Sequence, residues 1–113
     1  VQEVYRRSYE AGWTVHKDNE TPEQELRREM LDHASRTMTM LSSLRKVSTT
    51  TLEQRQELNR KRAQIAREVL AADDNASVGE MRRITRGLRG VTRRARSEKA
   101  RAERAQRVPA GTK

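Results

Sequence analysis

Few residues in this chain have the types and spacing needed to move protons, hold metals or attack substrates. The two histidines, His16 and His33, stand apart, and neither belongs to a Ser/His/Asp set or a metal-spaced cluster. There is no Cys, which excludes disulfides and thiolate-held zinc. Gly87 and Gly90 are isolated and do not form a phosphate-cradling loop. The four Met fall at helical spacing and read as core rather than ligands. No catalytic residue, bound metal, cofactor or small-molecule substrate is therefore expected. The chemistry that remains is recognition of phosphate by guanidinium. Of the 25 basic residues 20 are Arg, which can fork onto phosphate and stack on bases as Lys cannot. That favours RNA over a membrane surface, although a GC-rich coding sequence gives the same bias.

The basic residues form two concentrations. Arg60-Lys61-Arg62 occupies consecutive positions that fan over most of a helical turn, so not all three can face a core. Phosphate contact is one use for them, and pairing with acids such as Glu57 is the other. The second concentration is larger. From Met81 to Lys113 twelve Lys or Arg stand against two acids, Glu98 and Glu103, whereas residues 1–80 carry thirteen basic and fourteen acidic residues. Arg82, Arg83, Arg86, Arg89, Arg93, Arg94 and Arg96 open this segment. Such a polycation seeks a polyanion, and phosphate backbones are the commonest one. A merely solvated tail is the bland alternative.

With 113 residues, 33% hydrophobic, one Trp and no Phe, the chain has no thick core to bury. It can bury narrow seams between long helices. No apolar run approaches the ~18 residues of a membrane span, so no membrane insertion is expected. Thr21-Pro22-Glu23-Gln24 has the form of a capped helix start: N-cap Thr, Pro at the first helical position, and Gln reaching back from the third. Thr51-Leu52-Glu53-Gln54 and Ser77-Val78-Gly79-Glu80 repeat the device before two further apolar-periodic stretches.

These signals predict an all-α fold. A short first helix holds Val4, Tyr5 and Tyr9 and fades near Gly12. A second runs from about Pro22 to Val47, with a seam of Leu26, Met30, His33, Thr37, Met40, Leu44 and Val47. Leu31, Ala34, Met38 and Leu41 flank that seam. His33 on it reads as a packed or capped core histidine. A third helix covers about Leu52–Ala72, with Leu58, Ile65 and Val69 on one face. The short intervening loop makes helices two and three an antiparallel hairpin. A fourth carries Met81, Ile84, Leu88 and Val91. Residues 1–91 then form a four-helix domain and 92–113 a basic tail. The tail's apolar positions are nearly all Ala. It is expected to find no packing on its own domain and to lie on phosphates, helical near Thr92–Arg104 and extended beyond Pro109.

In this order and spacing the motifs resemble small-subunit ribosomal protein fifteen, over roughly Val4–Arg89. Trp13-Thr14-Val15-His16 is similar to the family's aromatic-x-x-His. Asp18-Asn19-Glu20-Thr21-Pro22-Glu23-Gln24 is similar to the stretch that opens its second helix, one residue shorter. Arg60-Lys61-Arg62 matches its basic triplet, and Arg86-Gly87-Leu88-Arg89 is a looser echo of the close of its fourth helix. The resemblance implies a four-helix protein of the small ribosomal subunit that supports subunit assembly, with ribosomal RNA and neighbouring ribosomal proteins as partners. It implies RNA contacts at His16, Thr21, Gln24, Arg60, Lys61 and Arg62. The family's Gly in the turn before helix two is absent, its His- and Arg-rich hairpin turn is replaced by Ser48-Thr49-Thr50-Thr51-Leu52, and its Tyr after the triplet corresponds to Ala66. Such erosion with an added basic tail fits an organellar protein, so a mitochondrial ribosome is expected first, a cytoplasmic or plastid one next.

Two other readings stay open. Glu25-Leu26-Arg27 and Ile65-Ala66-Arg67 resemble the helical-hairpin protein of the large ribosomal subunit, which leaves the fourth helix unexplained. Val4-Tyr5-Arg6 resembles the Leu-Tyr-Arg motif of accessory subunits in mitochondrial respiratory and ATP synthase complexes, but that family's later Phe has no counterpart.

Overall fold

The structure, a computed structural model, describes residues 1–14 and 20–111, with side chains described for 1–12 and 20–105. Among these residues the chain forms four helices and no strand: α1 (Gln2–Thr14), α2 (Pro22–Arg45), α3 (Leu52–Asn75) and α4 (Val78–Gly111).

The helix starts lie where the sequence signals put them. Thr21 accepts from the Gln24 amide at 3.1 Å while the Gln24 side chain accepts from the Thr21 amide at 3.0 Å. Thr51 and Gln54 form the same reciprocal pair at 3.1 and 2.8 Å. At Ser77 half of the device is present, with the hydroxyl accepting from the Glu80 amide at 3.3 Å. Thr50 closes the end of α2 by donating to the Leu44 carbonyl at 3.1 Å. The chain therefore reverses between Arg45 and Leu52, and α2 and α3 pack as the expected antiparallel hairpin. Arg45 meets Asn59 at the loop end, and Arg27 meets Asp73 at the other.

α2 is the central element, packed by all three other helices. This is why both of its apolar stripes are used. Met30, Leu31, Ala34, Thr37, Met38, Leu41 and Leu44 are buried. The stripe read as flanking is thus wholly buried, while Leu26, His33 and Met40 of the seam are only half-covered. From α3 come Ile65, Ala66, Val69 and Ala72, with Leu58 half-buried. Asp73, 6% exposed, ties one end together: it accepts from Arg7 of α1 at 2.8 Å and from Arg27 of α2 at 2.9 Å.

α4 is antiparallel to α3 and so runs parallel to α2, on which it mainly rests. Its buried positions Met81, Thr85, Leu88 and Ala95, with half-buried Thr92, Lys99 and Ala102, step by four and three, the spacing of a seam between two parallel helices. Small side chains keep the axes close at its middle. The Thr37 hydroxyl, fully buried, lies 2.7 Å from the His33 carbonyl, 2.7 Å from the Thr92 hydroxyl and 3.3 Å from the Leu88 carbonyl.

This seam corrects the reading of the tail. α4 continues through residues 91–92 without a break, and Ala95, 3% exposed, belongs to the core. The small residues that looked too poor to pack are what a close helix–helix contact requires. Packing on α2 lasts to about Ala102. Beyond it α4 continues for nine residues, roughly 13 Å at the usual helical rise. The backbone at Pro109 is helical rather than extended, since α4 runs to Gly111.

If the Thr37 contact fixes the α2–α4 spacing, Thr37→Val should cost about 1 kcal/mol, the net worth of one hydrogen bond. Thr37→Leu should cost more, about 1–3 kcal/mol, by forcing the helices apart. Urea unfolding followed by circular dichroism measures both, and the order Val before Leu is the result expected.

Candidate nucleic-acid interface

Resting on α2 with one face leaves most of α4 in solvent. Arg82, Arg83, Arg86, Arg89, Arg93, Arg94 and Arg96 are all exposed. Among the described residues only Arg83 of these has a carboxylate in ion-pair range, Glu80 at 3.6 Å. Helical geometry sorts the seven. Arg82, Arg86, Arg89, Arg93 and Arg96 step by four, three, four and three, so they form one stripe. Arg83 and Arg94 stand on the other flank of the exposed arc, beside the open groove between α3 and α4.

The stripe borders a groove between α2 and α4. Its walls are His33, Ser35, Arg36, Thr39, Met40 and Ser43 from α2 and Arg89, Thr92, Arg93 and Arg96 from α4. Four guanidiniums, one imidazole and four hydroxyls line it, and no carboxylate does. Arg36 pairs with Asp32 at 3.0 Å, toward the rim. Arg89 donates through Nε to His33 Nε2 at 3.3 Å, a bond that requires the imidazole to be neutral at that nitrogen. Burial first, then the charges of Arg89 and Arg36, hold His33 below the ordinary imidazole range against the opposing pull of Asp32 and Glu29. The histidine expected in the core thus lies half-covered at the groove's edge.

The other residues singled out by sequence are not gathered here. The basic triplet divides: Arg60 pairs with Glu57 at 2.5 Å, Lys61 is exposed, and Arg62 turns inward. Arg62 Nη2 reaches the Tyr5 hydroxyl at 3.5 Å and its buried Nε has no hydrogen-bond partner. The hairpin register sets Arg60 opposite the C-terminal end of α2, next to Asn59, which meets Arg45. Thr21 and Gln24 lie at the N-terminal end, about 28 Å away at the helical rise. The turn before α2 and the triplet are therefore separate places rather than neighbours. The Thr21 hydroxyl and Gln24 amide are engaged in the capping box. His16 falls outside the described residues. Arg36 and the hydroxyl row Ser35, Thr39 and Ser43 were missed, although their every-fourth spacing is readable in the sequence.

Among the described residues no group of His, Cys, Asp or Glu could hold a metal ion. No described helix is long and apolar enough to cross a membrane. No protein-family model, curated protein or solved structure matches the chain.

The groove predicts a proton-linked anion affinity. His33 faces Glu29, Asp32 and Arg36 on its own helix and Arg89 on α4. A phosphate in the groove raises the imidazole pKa from its depressed value. Between the free and bound values binding takes up a proton, so affinity rises as pH falls. Protonation also breaks the Arg89 bond and releases that guanidinium to the anion. Binding of a short polyphosphate should therefore strengthen from pH 7.5 to below about 6.5, and His33→Gln should remove that trend. Calorimetry at several pH values measures it, and a pH-independent affinity in the unsubstituted protein would contradict it.

Proposed function

We propose that the chain is a non-enzymatic RNA-binding protein that works as a structural part of a ribonucleoprotein, with a small-subunit ribosomal role as its most specific form. One observation carries the reading: the Arg stripe of α4 is exposed and, among the described residues, none of its five members pairs with a carboxylate. Surface arginines in folded domains are ordinarily offset by acids at neighbouring turns. Elsewhere Glu3, Asp73 and Asp74 gather around Arg7.

Guanidinium favours phosphate, and the predominance of Arg over Lys favours RNA, where planar forks serve both phosphate and exposed bases. The ribosomal form rests on the motif resemblance. The same reading takes ribosomal RNA and neighbouring ribosomal proteins as partners and a mitochondrial ribosome as the location. Lys61 and Arg101 share a hollow near the end of α4 with the carboxylates of Glu57 and Glu98.

Phosphate contact releases counterions, so the slope of log affinity against log salt reports the number of contacts. Replacing Arg82, Arg86, Arg89, Arg93 and Arg96 by Gln should flatten that slope for a hairpin RNA by roughly three to five. Replacing Arg60 and Lys61 by Gln should flatten it by roughly one, because Arg60 is already paired with Glu57. A slope unchanged by the five substitutions would refute the assignment of α4 as the RNA surface.

A further inference from the structure

The groove between α2 and α4 carries two kinds of recognition group in two parallel rows. On α4 the row is cationic: Arg89, Arg93 and Arg96. On α2 it is hydroxylic: Ser35, Thr39 and Ser43, one every fourth residue and about 6 Å apart along the axis, with Arg36 beside them. α2 and α4 run in the same direction, and both rows line the one groove.

The α2 hydroxyls of the groove differ from the threonine hydroxyls of the α2–α4 seam. Thr37, Thr85 and Thr92 turn back on their own helix and donate to the carbonyls of His33, Met81 and Leu88. Among the described residues Ser35, Thr39 and Ser43 make no such bond; Thr39 touches the Tyr5 hydroxyl at the 3.5 Å limit. Ser35 and Ser43 therefore have donor and acceptor capacity to offer along the groove, and Thr39 shares its own with Tyr5 of α1. A Ser or Thr hydroxyl is both donor and acceptor, and so is the ribose 2′-hydroxyl. Asp32 is not part of the lining and is paired with Arg36 at 3.0 Å.

We infer that this groove seats one sugar–phosphate strand of RNA, phosphates along the α4 arginines and ribose 2′-hydroxyls along the α2 hydroxyls, and so distinguishes RNA from DNA. The inference rests on the proposed RNA-binding function and adds how the sugar is read. A deoxyribose strand keeps every phosphate contact and leaves the α2 row without its partners.

The probes are two labelled uridine oligomers of equal length, one ribose and one 2′-deoxyribose, which differ at no other atom. Fluorescence anisotropy with the full chain at low salt gives both affinities. The ribose oligomer should bind tighter by roughly tenfold, as two or three neutral hydrogen bonds imply. In the variant carrying Ser35→Ala, Thr39→Val and Ser43→Ala the ratio should fall to near one while the deoxyribose affinity stays unchanged. That unchanged affinity also shows that the variant is folded. Equal binding of both oligomers by the unsubstituted protein overturns the inference and leaves RNA binding through α4 standing. A ribose preference that survives the triple substitution overturns it too. Binding of neither oligomer overturns the inference and the proposed function together.

Discussion

With apolar residues at 33% and no Phe, this chain can supply one helix with two adjoining buried stripes, and α2 is that helix. The other three need only one apolar stripe each, because each can lay that stripe on α2. The consequence for α4 is decisive. A helix held by a single seam has most of its surface left over, and in α4 that surface is arginine. The seam uses Thr, Ala and one Leu at its middle, so the helix sits low on α2 without large side chains. The fold and the cationic face are thus two results of one shortage.

The acids follow the same division. Asp73 and its partners Arg7 and Arg27 join α1, α2 and α3 at one end. A carboxylate this buried, with two guanidiniums on it, is satisfied inside the bundle, and its removal would take from Arg27 its ion pair and leave Arg7 with Glu3 and Asp74. The near-neutral part of the chain has acids and bases in near-equal number, and several of them pair with each other. The arginines of α4 that border the groove have no such use, and the acids of α4 lie elsewhere, Glu80 beside Arg83 and Glu98 toward the hollow shared with Lys61. Segregation of charge along the sequence becomes segregation in space because α4 lays one seam on α2 and turns its arginines to solvent.

Much of this was legible in the residues. Thr21-Pro22-Glu23-Gln24 and Thr51-Leu52-Glu53-Gln54 each form the capping box that their spacing encodes, and the hairpin follows from them. Which stripe of α2 would be deepest was not legible, because periodicity gives the faces of a helix and not the number of neighbours that will use them. The continuation of α4 was misread for a related reason. Ala95 and Ala102 look empty beside Leu or Ile, yet against Leu44 and its neighbours on a parallel helix small residues are the better fit. The candidate arginines from Arg82 to Arg96 were all named by charge density alone. Their partition into a stripe and a flank, and the division of Arg60-Lys61-Arg62 into paired, exposed and inward members, depend on where the partner helices lie. The inward turn of Arg62 toward Tyr5 could not be read from a run of three basic letters.

The central claim is that the outer face of α4, with the adjoining edge of α2, is where this protein meets nucleic acid. The most direct test is a residue-resolved map: backbone amide shifts of the labelled protein recorded while a structured RNA is added at low salt. Changes should concentrate on residues 82–96 and on Arg36–Ser43, and the Asp73 end of the bundle should stay still. Changes centred on α1 and α3, with α4 unmoved, would contradict the account.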